Sequence, residues 1–136
     1  MKTKNKNKRK GSVLLVSVFV SVLFSAMVIG MMQLNTEEAM LTHNYMELTK
    51  AIAIAEAGLN DAYYCIRQDR NWTTGFTNKA FQGSTYSVTI SGSLPNRSLV
   101  STGITGAGYK ARVDADITVG SSAPYAVRIV EIRIND

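Results

Sequence analysis

His43 is the only histidine and Cys65 the only cysteine in this chain, so the two cannot supply a ligand cluster for a metal. A single cysteine also excludes an internal disulfide. Cys65 reads as a small apolar group on a helix, with pairing to another chain as the alternative. Paired carboxylates are the next chemistry to seek. Glu37 and Glu38 are adjacent, which on a helix turns their side chains about 100° apart. They read as a solvated collar and not as an acid–base pair. The Gly-rich run GITGAG, with Gly103, Gly106 and Gly108, lacks the lysine and the strand–loop–helix setting of a phosphate loop. It reads as a connection between strands. NWT at Asn71 and NRS at Asn96 match a glycosylation pattern that is weak by itself. No Ser, His and Asp set is apparent. The expectation is a chain with no catalytic role, no metal and no cofactor.

The elements that carry these residues are more informative than the residues. The chain has 136 residues, enough for one modest domain and an appendage. Its net charge of +5 would suit a nucleic-acid partner, but six of the fifteen basic residues fall within the first ten positions. From Ser12 onward nine basic residues face ten acidic ones, so no basic binding face for nucleic acid is evident. After Lys8, Arg9, Lys10 and Gly11 comes a stretch, residues 12–34, with no charge at all. Twenty of its residues, 13–32, span about 30 Å as a helix, enough to cross the hydrocarbon core of a membrane. Basic residues before the span and Glu37 and Glu38 after it place the N-terminus in the cytoplasm and the rest outside. Cleavage near Gly30, as at the end of a secretory signal, is a weaker alternative.

The helical pattern continues past the span. Leu34, Leu41, Leu48, Ala55 and Ala62 are spaced by seven, and Tyr45, Ile52, Leu59 and Ile66 form a second such series. Together they make one narrow apolar seam, fit for a coiled coil or for docking on a sheet. Ser17, Ser21 and Ser25 recur every four residues. They suit either close approach of helices or hydrogen bonds back to their own backbone. The helix is expected from Ser12 to about Asp69, with Gly30 and Gly58 as places to bend. The segment NWTTGFTNKAFQGS reads as a loop. Strands follow around Tyr86–Val88–Ile90 and Leu99–Val100. The clearest is 109–119, with Tyr109, Ala111, Val113, Ala115, Ile117 and Val119 on one face and Lys110, Arg112, Asp114, Asp116 and Thr118 on the other. YAVRIVEIRI alternates too, with a slip between Ile129 and Val130 as at a bulge. The expected fold is α+β: a long N-terminal helix against a small antiparallel sheet. Its parts are a leader (1–11), a transmembrane half (12–34), an amphipathic half (35–69) and a sheet domain (70–136).

This order of pieces resembles the type IV pilins and pseudopilins, and is most similar to the PilX-like minor pilins. The resemblance covers most of the chain and rests on KRKGS at Lys8–Ser12, KGSVLLV, AIAEAGLNDA from Ala53, and the later YSV and VSTG. It implies cleavage between Gly11 and Ser12 by a prepilin peptidase and methylation of the new Ser12 amine. It further implies residence in the bacterial inner membrane and then in a periplasmic or cell-surface filament with other pilin or pseudopilin subunits. The helix-packing residues would be Ser17, Ser21, Ser25, Leu41, Leu48, Ile52, Ala55 and Leu59. Two positions depart from the family's commonest pattern: Ser12 stands where an aromatic is usual, and Val16 where the fifth mature residue is usually Glu. Val16 avoids the roughly 2.5–3.5 kcal/mol that a charged side chain costs in the bilayer, but it cannot pair with a neighbour's terminal amine. That suits a tip or priming position, as in K-type pseudopilins, or a sparse minor component. The alternative is an uncleaved bitopic protein whose outer domain binds an envelope partner.

Overall fold

The computed structural model describes residues 7–135, with side chains within 12–135. One helix, α1 (Asn7–Gln68), is followed by five strands: β1 (Phe76–Phe81), β2 (Ser84–Ser93), β3 (Asn96–Ile104), β4 (Lys110–Val119) and β5 (Val127–Asn135). The strands form one sheet in chain order, each antiparallel to the next. This is the expected α+β arrangement. The chain divides into two compact units, one reaching to Thr42 and one from His43 onward.

In the second unit the dry face of the sheet is set by alternation. Val88, Leu99, Val113, Ala115, Ile117 and Val119 are buried, and the register places them side by side. The helix contributes Ala51, Ile54, Ala55, Leu59, Ala62 and Ile66. Each large aliphatic group fully covered here contributes about 1.5–3 kcal/mol relative to exposure. Small residues let the helix come close. Gly103 has no side chain, and a Cβ there would overlap the carbonyl oxygen of Ala51 and lie 2.6 Å from the amide nitrogen of Ala55. On the helix, a Cβ on Gly58 would lie 2.6 Å from Ser101 Oγ and 2.8 Å from Tyr86 Cδ2.

Several expectations need correction. The covered helix stripe is broader than the seam. Ala55 and Leu59 are in the core, but Leu48 and Ile52 are only half-buried, and Leu41 is 67% exposed. The stripe centres instead on Ala51, Ala55, Gly58 and Ala62, because the sheet admits backbone-close contact there. Gly58 serves that contact, and α1 runs unbroken through it and through Gly30. The helix ends at Gln68. Asp69 is just past it, its amide donating to Cys65 O and its carboxylate accepting from Asn71 N. Cys65 is half-buried rather than enclosed. The expected loop contains β1, an exposed edge strand whose polar residues hide any alternation. It joins β2 through Gln82 and Gly83, both at positive φ, as a tight two-residue hairpin requires. The slip in the last strand is present: Glu131 pairs with Asp116 and Ile129 with Ile117, leaving Val130 as the extra residue of a bulge.

Gly103→Val should therefore destabilise the second unit by about 1–3 kcal/mol or more through overpacking. Leu48→Asp should cost less than Ala55→Asp, since Leu48 is already partly wet. Urea unfolding of the detergent-solubilised chain, followed by tyrosine and tryptophan signals, checks both. An unchanged midpoint for Gly103→Val would mean that the helix does not rest on β3.

Candidate functional site

The functional residues foreseen in the sequence lie on α1. Met1–Lys6 fall outside the described residues. Lys8, Arg9, Lys10 and Gly11 belong to the backbone of α1, while the side chains of the three basic residues lie outside the described part. From Ser12 the helix is long and apolar enough to cross a membrane, and none of its most apolar stretch is buried by the rest of the chain. Such a surface requires a non-aqueous surrounding. The serines along it are internally satisfied. Ser17 Oγ donates to Leu14 O, Ser21 Oγ to Ser17 O and Ser25 Oγ to Ser21 O, at 2.8–2.9 Å. This is the back-bonded arrangement, which removes the cost of placing a free hydroxyl in hydrocarbon. Ser17, Ser21, Ser25 and Leu41 are exposed, whereas Ala55 and Leu59 are buried in the core.

At the sheet, polar ties fix how the helix sits. Asp61 accepts from Lys79 Nζ at 2.6 Å and from Tyr86 OH. Lys79 in turn lies 4.5 Å from the centre of the Phe76 ring. The Lys79 ammonium, and next the Tyr86 hydroxyl, hold the Asp61 carboxyl below its usual range, and the lysine is raised chiefly by Asp61. Tyr86 is raised by burial first and by Asp61 second. Nearer the start of the docked segment Tyr109 OH donates to Asn44 Oδ1 at 2.6 Å, and beyond its end Arg97 donates to Trp72 O at 2.7 Å. Tyr86 and Tyr109 were read from the sequence only as strand residues and none of these ties was foreseen, because each pair is 25 or more positions apart or, for Asp61 and Lys79, joined only by the unforeseen β1. The small-residue run Ala51, Ala55, Gly58, Ala62 was a signal that could have revealed the true docking stripe.

On the outer face Arg112 pairs with Asp114 at 2.7 Å, and Arg133 bridges Asp116 and Glu131 at 2.9 and 3.0 Å. These ions are spent on one another. Among the described residues no three His, Cys, Asp or Glu converge as for a metal. An open groove of about 780 Å³ lies between Tyr64, Arg67 and Gln68 on the helix and Ala123, Pro124 and Ala126 after β4. It brings no carboxylate or imidazole to the arginine. What the arrangement offers is an exposed apolar helix surface able to span a membrane and, on β5, exposed isoleucines. No family model, curated protein or solved structure matches the chain.

The Asp61 tie gives a pH dependence of definite sign. A carboxyl held below its ordinary value contributes stability that is complete above a pH of about 4 and is lost as pH falls through the folded value. The side chain is 46% exposed, so solvent screening keeps the effect small. Asp61→Asn should lower the thermal midpoint near neutrality and flatten its decline below about pH 4. Melting curves from pH 7 to pH 2.5 in detergent check this, and parallel curves for the two proteins would remove Asp61 from the account.

Proposed function

We propose that this chain is a minor pilin or pseudopilin subunit, cleaved after Gly11 and drawn from the inner membrane into a filament of a pilus or a secretion-type machine. The observation that carries the reading is that one uninterrupted helix does two jobs. It begins as a membrane-capable segment immediately after Gly11 and ends as the docking helix of an antiparallel sheet. The work of such a protein is assembly. Its partners would be a prepilin peptidase and other pilin-like subunits.

The junction explains the residue types around it. A membrane peptidase must bring the cleaved bond against its catalytic groups, and a glycine has no Cβ to hinder that approach. Lys8, Arg9 and Lys10 hold the preceding segment at the cytoplasmic surface, where each attracts anionic head groups by about 1 kcal/mol. The uncharged helix fixes the depth of the bond. Removal of the leader is then a condition of assembly, because six positive charges could not enter an apolar helix bundle without a large desolvation cost.

Gly11→Leu should leave membrane insertion and topology intact while retaining residues 1–11, and the variant should not assemble. Co-expression with an active prepilin peptidase, followed by intact-mass measurement, reads this directly. Wild type should begin at Ser12 with one added methyl group. Wild type that stays full length beside a competent peptidase would instead favour an uncleaved membrane anchor with an envelope-facing binding domain.

A further inference from the structure

The sheet has more dry face than its helix covers. The register of β5 on β4 sets Ile129 opposite Ile117, Ile132 opposite Ala115 and Ile134 opposite Val113. Directly paired residues point to the same side of a sheet. Ile117, Ala115 and Val113 are core residues, so the three isoleucines lie on the dry face. They are nevertheless 46%, 50% and 50% exposed. They form an apolar strip at the sheet edge, continuous with the surface on which the chain's own helix is docked.

The helix has the matching surplus. Ala55, Leu59, Ala62 and Ile66 of the seam are covered by the sheet, while Leu41 and Tyr45 are 67% and 72% exposed and Leu48 is half-buried. The same repeat thus has members that pack on this kind of sheet face and members with nothing beneath them. We infer that the Ile129–Ile132–Ile134 strip of one copy receives the Tyr45–Leu48 face of a second copy's helix. The contact would reproduce between chains the packing already present within one. The charges of β5 leave the strip free, since Glu131 and Arg133 pair with each other and Arg133 with Asp116 on the outer face. A strand is a poorer occupant: the bulge at Val130 interrupts the free edge, and charged residues flank it.

The contact is heterologous, strip to seam, so a joined pair still offers one free strip and one free seam. This inference deepens the filament-subunit reading and rests on it. A chain that starts a filament needs such a contact, because its first two subunits have no polymer to join.

The test uses the full chain with Cys65→Ala, expressed in membranes as two differently tagged copies. One copy carries Ile132→Cys and the other Tyr45→Cys. Oxidation should join them in a mixed-tag dimer several-fold more abundant than with Thr89→Cys, on the outer face of β2, in place of Ile132→Cys. Adding Ile134→Asp, a change at a half-exposed site, to the Ile132→Cys copy should abolish the dimer while the thermal midpoint of that copy stays that of its parent. A mixed dimer no more abundant than the Thr89→Cys control would overturn the inference. So would Ile132→Cys joining mainly to itself, or to a different protein in place of the Tyr45→Cys copy. Intact mass on the same samples reports leader removal independently. Retained leaders count against the processing reading, while the disulfide result alone decides the contact.

Discussion

The fold depends on how closely α1 can lie against β3. Backbone meets backbone at Gly103, where no side chain separates the strand from the carbonyl of Ala51 and the amide of Ala55. One turn of helix later the roles reverse, and Gly58 makes room for Ser101 and Tyr86. Farther along β3 the facing residue grows to Leu99, and the helix answers with Leu59 and Ile66. The contact is therefore graded from small to large, which leaves little freedom for the helix to slide or roll. Asp61 and Asn44 then fasten it to β1, β2 and the start of β4 through hydrogen bonds that need the close approach to be in place.

That contact also divides the helix into regions with different requirements. The docked part is amphipathic, with its small side toward the sheet and Glu56 and Arg67 toward water. The earlier part is apolar around its circumference, and its large apolar side chains are exposed. Between them lie Leu41 and Tyr45, both exposed and close in sequence to Glu37, Glu38 and His43. The proposed filament subunit would have a use for each region.

Much of this was legible before any coordinates. The charge-free run after Gly11 announces a membrane helix by itself. The perfect alternation of 109–119 gives β4 and its dry face, and the broken alternation at Ile129 and Val130 gives the bulge, because a pleated strand allows only one phase. β1 was hidden because Thr77, Asn78 and Lys79 face solvent on an edge, where no burial imposes a pattern. The docking stripe was legible in part: Ala55, Leu59, Ala62 and Ile66 of the seam are buried, while Ala51 and Gly58 beside them were missed because alanine and glycine carry so little hydrophobic signal. Ala51 and Ala53 look alike in sequence, and only the shape of the sheet makes one buried and the other exposed. The polar ties at Asp61 and Asn44 depend on tertiary neighbours, and the local pattern is silent about them. The proposed junction at Gly11 and Ser12 rests on the order of charge, glycine and apolar run, and the fold adds only that α1 runs through it.

The hydroxyls of Ser17, Ser21 and Ser25 have a quieter consequence. Each is already bonded to the turn before it. These three hydroxyls therefore need no acceptor from their surroundings. Lipid tails and the flank of another helix are to them nearly equivalent solvents. In the proposed assembly these serines would pass from one to the other without breaking a polar bond, so that shape and the number of methyl groups touched would govern the transfer.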